Sequence, residues 1–113
     1  MEEIIKSFTD LEQSRQLKDI ISTSKADMIW VLANPDLPMI KAISWKDSYR
    51  SKYYETIPAW SLTALLCVLS GATLDISKDT YFRIHYNKMF SDWYNNPIDA
   101  CVEIILRLCK KIN

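Results

Sequence analysis

The sequence predicts an α+β domain in which a small antiparallel sheet of about four strands, arranged as two hairpins, carries about three helices on one face. Helix patterns alternate along the chain with short β-favouring runs, in the order helix, hairpin, helix, hairpin, helix. Hydrophobic residues make up 49% of the 113 residues, which is enough for one continuous core. No linker, repeat or low-complexity segment divides the chain, so we expect a single domain over residues 1–113.

The first helix is predicted from its start signal. Thr9 and Glu12 have the spacing of a capping box, in which Thr9 accepts a hydrogen bond from the N–H of Glu12 and Glu12 reaches back to Thr9. We expect a helix over residues 10–21, ended by the serine- and threonine-rich residues 22–24. Residues 1–8 are compatible with a separate turn or with a short strand.

The first hairpin is predicted over residues 28–45. Residues 28–32 and 39–45 are rich in β-favouring side chains, and residues 34–38 between them have the asparagine, aspartate and prolines typical of a turn. The next stretch, residues 46–57, is polar and aromatic, and we expect it to form a long exposed connection.

The second helix has recognisable signals at both ends. Pro58 precedes it, Ser61 is the expected N-cap, and Gly71 suits the position just past its end, where a positive φ is needed. One face carries four leucines at i, i+3, i+4 and i+7, namely Leu62, Leu65, Leu66 and Leu69. Trp60 stands at the entry to this helix, where we expect its indole to cover the helix end.

A second hairpin and the last helix complete the predicted fold. Residues 72–77 and 81–86 alternate as strands around a turn, and Asn96 is the expected N-cap of a helix with Pro97 in its first turn. The apolar stripe of that helix comprises Ile98, Cys101, Val102, Ile105, Leu108, Cys109 and Ile112.

Composition excludes several classes of function. Fourteen basic and fourteen acidic residues give a formal net charge of zero, which argues against a protein built mainly to bind nucleic acid. A single glycine, Gly71, excludes the glycine-rich loops that hold phosphate groups, and we expect no cofactor. The N-terminus does not read as a signal peptide, and the longest apolar run, residues 64–69, is far shorter than the roughly 20 residues that span a bilayer. We therefore expect a cytoplasmic protein without membrane contact.

The residue types that carry most enzyme chemistry have structural explanations here. His85 is the only histidine, and strand alternation places it on the face opposite Ile84, beside solvent, with no nucleophile assigned to it. Acidic residues at the helix starts serve as caps, and Glu103 has the spacing to pair with Arg107 one turn later. The cysteines lack the paired spacing of a zinc site and are expected to be core thiols: Cys67, Cys101 and Cys109. We predict no catalytic and no metal-binding residue.

Four fragments of the chain point to a family. They are residues 11–17, which begin Leu-Glu-Gln-Ser, residues 26–28, residues 57–66, which begin Ile-Pro-Ala-Trp-Ser-Leu, and residues 96–105, which include Pro-Ile-Asp-Ala-Cys. In these fragments the chain resembles a family of small uncharacterised proteins of gut-bacterial genomes and their phages or mobile elements. Residues 45–55 have no counterpart in it. The resemblance implies an accessory protein of phage or mobile-element origin and brings no activity, substrate or catalytic residue.

The most suggestive segment for function is residues 41–54, where four basic residues and one acidic residue alternate with four aromatic residues. Three interpretations are open: the aromatic rings fold back over the sheet edge, they form a protein-binding patch, or they stack on single-stranded nucleic acid. The candidate interaction surface comprises Trp45, Tyr49, Arg50, Lys52, Tyr53 and Tyr54. Residues 89–94 are a second aromatic patch, either a lid over the core or a dimer contact.

The predicted function is a non-catalytic domain that binds a protein partner, a second copy of the chain being one such partner. A weak binder of single-stranded nucleic acid, acting through residues 41–54, is the alternative. An enzyme ranks third, because no polar groups converge in a recognisable catalytic arrangement.

Overall fold

The structure is a computed structural model that describes residues 6–32, 37–42 and 55–112. The α-helices of this part are α1 (Leu11–Leu17), α2 (Leu62–Val68) and α3 (Pro97–Ile112). The strands are β1 (Met28–Leu32), β2 (Met39–Ala42), β3 (Glu55–Ala59), β4 (Thr73–Ile76), β5 (Phe82–Tyr86) and β6 (Met89–Phe90). The predicted α+β class is confirmed, although the described strands form two three-stranded antiparallel sheets where about four strands were expected.

The first sheet has the strand order β2-β1-β3. The predicted β1–β2 hairpin is confirmed, whereas the prediction that the exposed connection runs to residue 57 is wrong, since residues 55–57 begin β3. Ile57 and Ala59 of this strand are buried. Pro58 was expected to lead into a helix, but it pairs with Ile29 of β1. Because β3 lies at the sheet edge, it tolerates a proline that a central strand would not.

The N-cap of helix α1 lies one residue later in the chain than predicted. Asp10 is the N-cap: its carboxylate accepts a hydrogen bond from the N–H of Gln13 at 2.8 Å, and the Gln13 side chain accepts from the N–H of Asp10 at 3.1 Å. Thr9 is buried and bonds instead to the end of β3, donating its N–H to the Trp60 carbonyl at 2.9 Å. The helix ends at Leu17, so it is shorter than predicted.

The second sheet has the strand order β4-β5-β6. The predicted β4–β5 hairpin is confirmed, with Leu74 opposite Ile84. Strand β6 was not predicted. It returns from β5 through Asn87 and Lys88, whose φ angles of 50° and 68° are the positive values that a tight two-residue hairpin turn requires.

The core lies between the second sheet, α2 and α3. Helix α3 packs on β5 and on α2, while α1 packs on β3. The predicted stripe of α3 is buried at Ile98, Cys101, Val102 and Ile105, and Ala100 and Ile104 widen the buried face beyond the prediction. Gly71 follows α2 with φ 90°, as predicted. Within the described ranges, no helix is both long and apolar enough to cross a membrane.

Candidate functional site

Strand β5 separates the core from a half-exposed face of the second sheet. Its side chains alternate, so Phe82 and Ile84 are buried against the core, whereas Arg83 and His85 lie on the opposite, outer face and are half-buried. The antiparallel register brings Asp75 of β4 opposite Arg83 on this outer face. The same two-residue period that builds the core thus sets a row of polar and charged side chains at the surface.

Two aromatic residues join this row from the chain that follows β5. Phe90 lies opposite His85 in the β5–β6 ladder. Trp93 precedes Tyr94, which bonds to the backbone of Phe82 through its own N–H (2.8 Å) and carbonyl (2.7 Å). We call Asp75, Arg83, His85, Phe90 and Trp93 the outer-face cluster.

The rings of the outer-face cluster form a layered stack around one cation. The Arg83 guanidinium carbon lies 4.4 Å from the Phe90 ring centroid and 4.5 Å from the ring of Trp93. His85 stacks on Phe90 with ring centroids 4.2 Å apart and an interplanar angle of 6°. Both distances from the guanidinium are well within the range of a cation–π interaction. Arg83 therefore sits between two aromatic rings that hold its plane.

Asp75 fixes the direction of the Arg83 side chain. Arg83 donates from Nε (3.2 Å) and Nη2 (3.0 Å) to the same oxygen, Asp75 Oδ2. The two side chains are 30% and 38% exposed, so this ion pair contributes little to folding stability, typically below about 1 kcal/mol. Its consequence is geometric, because a fixed guanidinium also fixes the positions of the rings that pack on it.

Helix α3 anchors both aromatic residues from behind. Arg107 donates to the backbone carbonyl of Phe90 at 2.8 Å. Glu103 Oε1 accepts from the N–H of Asp92 at 3.1 Å and from the Tyr94 hydroxyl at 2.8 Å, so both neighbours of Trp93 are tied to the helix. The predicted ion pair of Glu103 with Arg107 is confirmed at 2.8 Å.

Tyr94 remains a hydrogen-bond donor over the whole physiological range. Burial raises the pKa of its hydroxyl, and the hydrogen bond to Glu103 and the nearby carboxylates raise it further, to about 12. The link between α3 and the segment that carries Trp93 is therefore insensitive to pH near neutrality.

The outer-face cluster is aromatic and electrically balanced. Phe90 and Trp93 are 46% and 44% exposed, and the neighbouring Tyr81 is 47% exposed. Residues 73–94 contain three basic and three acidic side chains. The surface therefore presents exposed rings without a net charge.

The polar cluster at the start of α3 has a structural role. Asp99 accepts from Lys6 at 2.9 Å and from Gln13 at 2.7 Å through one oxygen, and from Asn96 at 2.9 Å through the other. Burial raises the pKa of Asp99, but these hydrogen bonds and the charge of Lys6 outweigh it and hold the pKa below its usual value. Asn96 caps α3 as predicted, accepting from the N–H of Asp99 at 2.9 Å.

The cysteines differ from one another in exposure. Cys101 is buried as predicted, and burial raises the pKa of its thiol to about 12. Cys109 is half-buried, whereas Cys67 is exposed, so its prediction as a core thiol is wrong. The buried residues of α2 are Ala64 and Leu65. Among the described residues, no group of three or more histidine, cysteine or acidic side chains is placed to hold a metal ion.

The other residues singled out from the sequence are placed as follows. Trp60 is fully buried, and its indole N–H has no hydrogen-bond partner among the described residues. His85 lies on the face opposite Ile84, as predicted, although it stacks on Phe90. The patch over residues 89–94 divides between Met89, which packs on the core, and the exposed rings of the outer-face cluster. The predicted interaction surface lies outside the described residues: Trp45, Tyr49, Arg50, Lys52, Tyr53 and Tyr54.

The comparisons with known proteins add no relative. No family model, no curated protein and no solved structure matches this chain. The resemblance to small proteins of gut bacteria and their mobile elements therefore stays a prediction.

Sequence patterns did not predict the role of Arg83 or the meeting of Phe90 and Trp93 around it. The usable signal was the alternation of residues 82–86, which already puts Arg83 and His85 on one face. The turn at residues 87–88 was not predicted, because no glycine there marks a tight hairpin.

Proposed function

We propose that this chain is a non-catalytic, cytoplasmic interaction domain that binds a protein partner through the outer-face cluster. The observation that carries the proposal is the exposure of Phe90 and Trp93 on either side of the fixed Arg83 guanidinium. Aromatic residues and arginine are the side chains most enriched among those that dominate binding energy at protein interfaces.

Preorganisation supports this function. A flexible arginine loses rotamer freedom when it is immobilised at an interface, which costs about 0.5–1.5 kcal/mol for a side chain of this kind. Here Arg83 is already held by Asp75 and by two rings, and the backbone of Phe90 is bonded to α3. A partner would therefore meet a surface whose side chains need little further ordering.

Charge favours a protein over nucleic acid as the partner. A protein that follows a phosphate backbone needs an excess of basic residues. The one arginine of the cluster is neutralised by Asp75, and the surrounding segment has no net charge. The predicted role of residues 45–54 stays part of the proposal, as a second contact region on the same chain.

The origin is also part of the proposal. The resemblance noted for residues 11–17, 57–66 and 96–105 supports an accessory protein of a phage or another mobile element. Such a protein would bind a protein encoded beside it or in its bacterial host, and a second copy of the chain is one candidate partner.

Binding of single-stranded nucleic acid remains the alternative function, and one observation favours it. Aromatic rings interleaved with arginine on an open sheet face form the type of platform on which bases stack. This function predicts binding that weakens steeply as salt is raised, and that requires the same rings.

The test compares two double variants that remove similar exposed apolar side chains. Phe90→Ala with Trp93→Ala truncates the cluster, whereas Leu37→Ala with Met39→Ala truncates side chains that are 69% and 45% exposed just before and at the start of β2. The partner is first identified by crosslinking in cells, and its affinity is then measured with purified proteins. Loss of two hot-spot residues is expected to weaken binding by about 30-fold or more.

The control double variant should change the affinity by less than about threefold. Equal affinities for both double variants and the wild-type chain would refute the proposal. Binding of single-stranded oligonucleotides at physiological salt that requires Phe90 and Trp93 would instead support the alternative.

A further inference from the structure

The free edge of the second sheet lies directly beside the outer-face cluster. In the order β4-β5-β6, the central strand β5 is paired on both sides, whereas β4 has β5 on one side alone. On the far side of β5, the chain after β6 continues the pairing through Ser91 and Tyr94. The described residues provide no equivalent cover for the outer side of β4.

The register shows which backbone groups of β4 face outward. The N–H of Ser77 donates to the carbonyl of Tyr81 at 2.9 Å, so this pair is hydrogen-bonded. Hydrogen-bonded and non-hydrogen-bonded pairs alternate in an antiparallel ladder, so Asp75 bonds to Arg83 and Leu74 does not bond to β5.

The pairing on the other side of β5 independently gives the same alternation of inward-facing and outward-facing backbone groups along β4. Phe82 and Ile84 direct their backbone groups toward Tyr94 and Ser91, away from β4. Leu74 and Ile76, which lie opposite these two residues, therefore direct their N–H and carbonyl groups outward. Neither residue's outward groups have a hydrogen-bond partner within the described ranges.

This edge strand is short, at four residues, but it lacks the proline and the lysine that commonly protect an edge strand. Residues 73–76 contain no proline and no lysine. The one charge, on Asp75, is paired with Arg83 on the outer face. Ile76 is 61% exposed at the end of the strand. The β3 edge of the first sheet differs, because Phe8 forms a bridge with Ser61 just beyond it.

We infer that β4 accepts an extended segment of the partner protein as an additional strand, an inference that rests on the proposed function. The segment would form backbone hydrogen bonds with Leu74 and Ile76, as in other cases of strand addition. Its side chains would alternate between two faces of the sheet. One is the apolar face that carries Leu74 and Ile76, and the other is the outer face. A basic side chain suits the outer position, because Asp75 uses Oδ2 for both hydrogen bonds to Arg83.

Charge argues against a second copy of the chain in the register that engages both outward-facing residues of each β4 strand. Antiparallel pairing of two β4 strands that joins Leu74 to Ile76 of the other copy places the two Asp75 side chains directly opposite each other. Like charges at such a position are destabilising, and the Cα atoms would be only about 4.5 Å apart. The fitting occupant is an extended segment that alternates apolar and basic residues.

The probe is a synthetic peptide that alternates lysine and isoleucine, with a scrambled peptide of the same composition as its control. On the wild-type chain, the alternating peptide should slow amide hydrogen exchange at Leu74 and Ile76 by about tenfold or more and leave Asp75 unchanged. A peptide methylated at its backbone nitrogens should bind at least about tenfold more weakly. Binding of the methylated or the scrambled peptide as tightly as the alternating peptide, or binding without protection at these two amides, would overturn the inference.

A matched pair of variants tests the same edge from the protein side. Ile76→Pro removes an outward N–H without removing a hydrogen bond to β5, whereas Ile76→Val keeps the N–H at nearly the same side-chain volume. Ile76→Pro should weaken peptide binding about tenfold, and Ile76→Val less than about threefold. Circular dichroism tests whether both variants are folded. If Ile76→Pro does not fold, the methylated peptide still tests strand addition on the wild-type chain.

The outcome separates this inference from the proposed function. If Phe90→Ala with Trp93→Ala abolishes binding of the partner protein while Ile76→Pro leaves it unchanged, the outer-face cluster is the contact and strand addition is refuted. If the cluster variant leaves partner binding unchanged while the peptide still protects the amides of Leu74 and Ile76, the proposed function is refuted and the edge remains a strand acceptor.

Discussion

The two faces of β5 differ in what their side chains contribute. On the inner face, Phe82 and Ile84 are 7% and 0% exposed and pack in the core beneath α3. On the outer face, Arg83 and His85 are half-buried and meet exposed rings. Both faces come from one alternating strand, so side-chain period alone cannot distinguish a surface that stabilises the fold from one that binds.

The distinction comes from what covers each face. The inner face is closed by a helix of the same chain, so its energetic contribution is fully realised on folding. The outer face carries rings that are almost half exposed and an arginine whose charge is already compensated. Side chains ordered in this way without being buried are expected to contribute more to binding than to folding.

Truncation of each face should therefore affect folding very differently. Ile84→Ala removes a fully buried side chain and is expected to lower the free energy of unfolding by about 2–5 kcal/mol. Phe90→Ala, on a residue that is 46% exposed, should lower it by less than about 1 kcal/mol. Urea titration of both variants measures the difference. Equal losses would mean that the outer face is part of the core and would refute the comparison.

Acid should weaken the polar cluster that anchors the start of α3 over the inner face. The pKa of Asp99 is lowered in the folded chain, so its contribution is present above the ordinary carboxyl pKa of 3.8 and is lost as pH falls through the lower folded value. Asp99→Asn is expected to cost about 1–2 kcal/mol at neutral pH, because Lys6 and Gln13 lose their shared anionic acceptor.

The prediction for Asp99 is checked by a control variant and by the pH dependence of the free energy of unfolding. Asp92→Asn removes a carboxylate from an exposed residue near α3 and should leave the stability near neutral pH within about 0.5 kcal/mol of wild type. As pH falls below the ordinary carboxyl pKa of 3.8 and through the lower folded value, the difference in stability between wild type and Asp99→Asn should shrink, since the wild-type carboxylate becomes protonated, first in the unfolded chain and then in the folded one. A difference that grows on acidification would contradict the assigned role of Asp99.

Local signals predicted the parts of the fold that depend on neighbouring residues. Ser61 and Asn96 cap their helices as expected, and the stripe of α3 is buried over residues 98–105, because capping and helical period are encoded within a few residues. Strand β3 was missed because its burial depends on pairing with β1, while its own sequence contains a polar start and Pro58.

The candidate site was harder to predict than the fold. Arg83 and Phe90 are brought together by the register across a turn whose positive φ angles fall on Asn87 and Lys88. Trp93 reaches the stack through backbone bonds between Tyr94 and Phe82. Each of these contacts depends on long-range pairing geometry, which side-chain type and spacing do not specify.

The most direct test of the central claim is hydroxyl-radical footprinting of the chain, free and bound to its crosslinked partner. Binding is expected to lower the oxidation rates of Phe90 and Trp93 several-fold, because both rings are exposed in the free chain. Oxidation of Leu37 and Met39, which are exposed just before and at the start of β2, should be unchanged. Protection of Leu37 and Met39 with full oxidation of Phe90 and Trp93 would contradict the claim that the outer-face cluster is the binding surface.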